Sequence, residues 1–272
     1  MTKPLPGTDF RAMRHILEPH DFALGTEADD PLPTDRIDSD TWAGIMNLPD
    51  DVAVRVSDHN GTRLRLLYSL WGDWVSSVSD DPDHPDELFN CMLDAADCFQ
   101  CANFDLLHGF YRAAISNLRT ALELVMIGTL GNLRPADQRF MRWKQGDDVI
   151  GFTHCRDQLS AIRKGQSVEW LFAKNNFLAA TYRELCRFTH ARPDASDGAL
   201  WASDGPVYNS AAILKTFMSS LDVYSISYLL VKIARPKFSL PEDSRILFEL
   251  EWLPNHKESL RASQHLFGRV EA

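Results

Sequence analysis

Apolar residues recur at helical intervals over most of the chain. Leu64, Leu67, Trp71, Trp74 and Val78 stand three or four residues apart, which predicts an amphipathic helix. "DDPDHPDE" then reads as a loop and capping region, followed by a second helix over Glu87–Phe104. A third is predicted from Leu106 to about Leu130, with Asp105 as its cap and Leu107, Phe110, Ala114, Leu118, Ala121, Leu122 and Val125 as its apolar face. "GNLRP" stops it. A looser stretch follows. The next helix starts near Trp170 or Asn175, buries Leu178, Tyr182, Leu185 and Thr189, and stops before Pro193. A long apolar helix from about Ser210 to Ala234 follows "DGP" at 204–206.

The two ends read differently. Residues 1–60 carry prolines at 4, 6, 19, 31, 33 and 49 and a crowd of acidic residues, which predicts an irregular arm without a long helix. Within it, Val52, Val54 and Val56 alternate ahead of Asn60-Gly61, the pattern of a small hairpin. Residues 61–235 form the helical domain, and 236–272 a mixed tail docking on it, with "RILFELEWLP" a strand or a short docked helix. Five helical segments without a strand ladder predict an all-α bundle. There is no internal repeat.

Composition and charge narrow the partners. Apolar residues make up 44% of the 272, enough for a substantial core. The net charge of −10 argues against indiscriminate binding to nucleic acid or to an anionic membrane. It is unevenly spread. Residues 110–192 hold 13 Lys+Arg against 7 Asp+Glu, a net +6, and the remainder of the chain is −16. A local basic surface is compatible with that. "MTKPLPGTDF" lacks the apolar stretch of a signal peptide, and the cysteines number five, which is odd. A cytoplasmic protein without a disulfide framework is expected. The 210–234 segment carries Lys215, Asp222 and several serines, so it is read as a buried helix and not a membrane span.

Two groups of residues carry candidate chemistry. Arg183, Arg187 and His190 lie at i, i+4 and i+7, on one face of the helix that ends "YRELCRFTHARP". The third helix carries a polar stripe of His108, Arg112, Ser116, Arg119 and Glu123, with Arg119 and Glu123 an i,i+4 pair. A solvated face is one reading. A half-buried pair whose stripe meets that of the Arg183 helix is the other. Glu123 then needs a cationic or donor partner, with Arg119 the local candidate and His190 the distant one.

"AAISNLRTALELVM", "RWKQGDDVIGF" and "YRELCRFTHARP" together resemble the pattern of HEPN-like helical proteins, abortive-infection-type bacterial members above all. The matching positions are Arg119, Glu123, Trp143, Gly146, Phe152, Tyr182, Leu185 and His190, within residues 105–195. The resemblance implies a role in bacterial stress or phage defence, a homodimer, an RNA substrate, and a protein antitoxin or sensor as partner. Active members share Arg, four to six residues, then His, a motif that Arg183 and His190 fit. The resemblance then assigns catalysis to these two, with Arg187, Arg119, Glu123 and Tyr182 supporting them or binding phosphate.

Metal-independent RNA cleavage needs a proton-transfer group with a pKa near neutrality, which histidine supplies. It also needs a fixed cation for the charge developing on phosphorus, which arginine supplies. Glu184 departs from the small or amide residue common beside this arginine in active members. That favours the alternative: a non-catalytic protein binding a protein or nucleotide partner, with its Arg/Glu/His network structural.

No cofactor or metal is expected. Cys91, Cys98, Cys101 and His108 fall on roughly one side of a helix, but there is no second C-x-x-C, and cysteines acting as small apolar residues fit better. Phosphate-loop, dinucleotide, zinc-protease and serine-hydrolase signatures are absent.

Overall fold

The computed structural model describes residues 39–79, 86–189 and 206–268, and all regular structure among them is helical. The elements are α1 (Ser39–Ser79), α2 (Glu87–Leu107), α3 (Tyr111–Leu133), α4 (Gln138–Lys144), α5 (Phe152–Ile162), α6 (Phe177–Thr189), α7 (Ser210–Ala234) and α8 (His256–Phe267). Short 3-10 turns lie at Glu169–Phe172 and Asp243–Phe248. The chain divides into two compact units, residues 1–51 and 52–272. The described part of the first is the opening of α1. The second is an all-α bundle.

Residues 39–60 correct the expectation of an irregular, hairpin-bearing arm: they are helical. Val52 and Val56 are buried and Val54 is 60% exposed, so the valines follow a four-residue repeat and not a two-residue one. Pro49 sits inside α1 without ending it. The backbone breaks from helical geometry at Asn60 instead, whose side-chain oxygen accepts from Arg63 at 2.6 Å. The part of the arm before residue 39, and the loop at 80–85, lie outside the described residues. Asp86, at the loop's end, caps α2 by accepting from the Phe89 amide at 2.8 Å.

The bundle is built around α3 and α7. α3 packs along α2 and also meets α4, α5, α6 and α7. α7 is buried almost all round and shows no marked amphipathicity, as a central helix should. α3 and α7 are both long and apolar enough to cross a membrane by length and composition. Their most apolar windows are 61% and 83% buried inside the bundle, however, which is what core helices of a bundle have. Trp74 of α1 is fully buried among Phe99, Tyr224 and Tyr228, and its indole N–H donates to the Met92 carbonyl at 2.9 Å.

The boundary between α2 and α3 also differs from expectation. Gly109, at φ +81°, turns the chain so sharply that an added Cβ would lie 2.6 Å from the Val207 backbone nitrogen. α2 therefore runs on to Leu107, and α3 starts at Tyr111. Asp105 is not the cap of α3. It lies in α2 and accepts from the Asn117 amide at 2.9 Å. His108 is displaced from the α3 stripe for the same reason: its ring bonds to the Phe104 carbonyl at 2.8 Å. In the tail, "RILF" closes a 3-10 turn that buries Leu247 and Phe248.

Candidate functional site

α3 and α6 pack through their apolar stripes, with Leu118, Ala121, Leu122 and Val125 on one and Leu178, Ala179 and Leu185 on the other. The residues bordering those stripes are polar, and there they meet. Arg119 donates through Nε and Nη2 to Glu123 Oε1 at 3.2 and 3.1 Å. The Tyr182 hydroxyl, arriving from α6, donates to the same oxygen at 2.5 Å and accepts from Arg119 Nη2 at 3.2 Å. Arg119 Nη1 reaches Thr189 at 3.4 Å. The three side chains close a triangle in which Glu123 accepts from both partners.

Two aromatic contacts fix its shape. Phe152, the first residue of α5, stacks on Tyr182 with ring centroids 3.8 Å apart and planes 6° from parallel. The Arg119 guanidinium lies 5.5 Å from the Tyr182 ring centroid. Burial disfavours the Tyr182 phenolate, and the hydrogen bond and charge of Glu123 reinforce it, so the phenol is held well above its ordinary range. Burial works against the Arg119 charge, but Glu123 and Tyr182 outweigh it and hold the guanidinium above its usual value.

Of the two expected partners of Glu123, Arg119 is in place. His190 lies outside the described residues, and Tyr182 occupies the position across the helix interface. A hydroxyl on the buried stripe of α6 was visible in the sequence, but its pairing with Glu123 depends on the rotation of α6 about its axis.

The outer face of α6 is arranged separately. Arg183 is exposed, donates through Nε to the Ala179 carbonyl at 3.3 Å, and has no carboxylate partner among the described residues. Glu184 is taken by Lys215 of α7 at 2.6 Å and by Arg187 at 3.1 Å. Burial acts to raise the Glu184 carboxyl, but these two cations outweigh it and hold it below the usual range. Lys215 also lies 5.8 Å from the Phe188 ring. Arg112 donates to the Phe188 carbonyl at 3.4 Å, placing a cation where the last carbonyls of α6 lack helical partners. The structure thus brings Arg119, Glu123 and Tyr182 into one cluster and leaves Arg183 and Arg187 on the neighbouring face. Lys215 and Phe152 were not among the expected site residues. A lone lysine in the apolar 210–234 segment was the available signal for the first.

The cysteine stripe does not gather. Cys91 is buried, Cys98 half-buried and Cys101 exposed, so the reading as small apolar residues fits Cys91 and not Cys101. Burial, with the nearby carboxylates, pushes the Cys91 thiol up to about 12. Among the described residues no three His, Cys, Asp or Glu side chains converge as metal ligands. Protein-family models, curated proteins and solved structures give no match to this chain.

Proposed function

We propose that the chain is a HEPN-like ribonuclease of bacterial stress or phage defence, acting in the cytoplasm on RNA through Arg183 and His190. The observation that carries this is the state of Arg183: it is exposed and, among the described residues, unclaimed by a carboxylate, seven residues before His190. Glu184, the neighbour that would quench it, is neutralised by Lys215 and Arg187. The face of α6 then keeps an excess of positive charge, which suits a phosphodiester. Arg183 would stabilise charge developing on phosphorus, and His190 would move the proton at the attacking or leaving oxygen. The resemblance further implies a homodimer that doubles this charge on one scissile phosphate, and an antitoxin or sensor partner that restrains it.

The Arg119–Glu123–Tyr182 cluster takes a positioning role in this reading. Its donors are spent on Glu123, the Tyr182 oxygen and Thr189, so it sets α6 against α3 and does not grip phosphate. That same closure favours the second reading, a non-catalytic partner-binding protein. Expression of the wild type, Arg183→Ala and His190→Ala separates the two. The ribonuclease reading expects RNA degradation and arrested growth with the wild type only, from variants of equal thermal stability. Intact RNA under wild-type expression, with a dimer mass in solution, overturns catalysis.

A further inference from the structure

At the C-terminal end of α7 the chain leaves the helix at Arg235 and turns back through residues 236–241. Between this strap and the ends of α1, α2 and α3 lies a half-open cavity of about 960 Å³. Pro236, Phe238, Leu240 and Pro241 give it apolar lining, shared with polar residues at the ends of α1, α2 and α3 and with Lys237. Such a volume is at the upper end of what small-molecule sites span, and apolar walls with a few polar groups at one side are their usual make-up. The strap is held in place. Lys232 donates its ammonium to the Pro236 and Phe238 carbonyls at 2.7 and 2.6 Å.

The polar groups at the cavity decide the kind of occupant. Among the described residues Asp86 is its one carboxylate, and it is fully engaged: it accepts from the Phe89 amide at 2.8 Å, the Asn132 amide at 3.0 Å and Arg235 at 2.7 Å. It has little left for a cationic ligand. Lys237, by contrast, is exposed at the cavity and has no carboxylate or hydrogen-bond partner among the described residues. The hydroxyls of Ser76 and Ser239 line the same cavity. A slot with apolar lining and, among the described residues, one unanswered cation fits a molecule with an apolar tail and one negative head.

We propose that this cavity binds a medium-chain fatty carboxylate. The tail lies among Pro236, Phe238, Leu240 and Pro241, and the carboxylate meets Lys237. The proposal is independent of the reading of α6, since no residue is shared.

The test is calorimetric titration of the full chain with decanoate, and with decyltrimethylammonium as the same tail bearing the opposite charge. Decanoate is expected to bind saturably at one site and tighter than the cation. Lys237→Glu, an exposed change, should weaken decanoate by about tenfold or more, a single charge contact reversed. Ser76→Trp, at an exposed position on the cavity lining, should plug it and abolish binding of both. Circular dichroism would establish that each variant is folded. No saturable decanoate binding, equal affinity for the two amphiphiles, or unchanged binding in both variants would overturn the proposal.

Discussion

Removing one oxygen from Tyr182 tests the cluster at the α3–α6 junction. Tyr182→Phe keeps the ring, its stack on Phe152 and the apolar packing, and deletes only the hydroxyl that donates to Glu123 at 2.5 Å and accepts from Arg119 at 3.2 Å. A hydrogen bond to a charged group contributes about 1.5–3 kcal/mol. Glu123 and Arg119 are 27% and 26% exposed and keep each other after the change, so the low end of that range, reduced for solvent screening, applies and the loss should be about 1–2 kcal/mol. For a chain of this size that is a fall in Tm of roughly 2–8 °C. Thermal and urea unfolding followed by far-UV circular dichroism would measure it. Glu123→Gln completes a double-mutant cycle: with the carboxylate already gone, Tyr182→Phe should cost less, leaving a coupling of about 0.5–1.5 kcal/mol.

The pH dependence has a definite sign. The folded phenol is held above its ordinary value, so its contribution is complete below about pH 10 and is lost as pH climbs through the raised folded value. The deficit of Tyr182→Phe should therefore shrink in strongly alkaline buffer. A variant as stable as the wild type, or a deficit equal in the presence and absence of Glu123, refutes the account of a shared hydrogen-bonded triangle.

Asp222 of α7 accepts from Asn255 at 2.9 Å, and burial pushes its carboxyl up to about 6 against these partners. The folded chain thus prefers the proton, the advantage is complete below about pH 4, and it is lost as pH rises through about 6. Asp222→Asn keeps an acceptor for Asn255 and should be more stable at pH 7 by on the order of 1–3 kcal/mol, with little slope from pH 4 to 7; urea midpoints across that range would show it, and an unchanged slope would contradict it. Gly131 of α3 lies so close under Phe140 of α4 that an added Cβ would overlap the ring. Gly131→Ala is expected to cost about 1–3 kcal/mol despite alanine's better helix propensity, and a stabilised variant would show that α4 moves aside freely.

The helices of the core were legible because their apolar stripes are wide and unbroken. Leu178 and Leu185 on α6, or Leu118, Leu122 and Val125 on α3, repeat at helical spacing over about two turns, and each is buried. The failures fall where a shorter signal stood in for period. Three valines at even spacing suggested a strand over 52–56, yet a run of three fits a two-residue repeat and a four-residue repeat equally well. Burial of the outer two and exposure of Val54 is settled by the partner that α1 finds in space. Proline in a sequence reads as a helix stop, but Pro49 removes one donor and one acceptor's partner, a cost that a helix with buried Val52 and Val56 after it can absorb. The α2–α3 junction was shifted because Gly109 is a single residue whose left-handed backbone has no periodic signature.

The candidate site was half legible for a related reason. Arg119, Glu123 and Tyr182 each border an apolar stripe, and a residue so placed has to be either a solvated fringe or a partner to the fringe opposite. Which of these holds depends on the crossing of α3 and α6. It is fixed by the packing of α5, whose Phe152 backs the Tyr182 ring and turns its hydroxyl onto Glu123. Lys215 is the converse case. On an otherwise apolar helix a lone lysine has no local partner to announce its role, and only the approach of α7 to α6 shows that it holds Glu184. That contact in turn bears on Arg183. With Glu184 turned to Lys215 and Arg187, the acidic residue next in sequence to Arg183 does not claim its charge. The feature of the sequence that weighs most against a phosphodiester on this face is therefore met by Lys215, 31 positions after Glu184, through the packing of two helices and not through the motif itself.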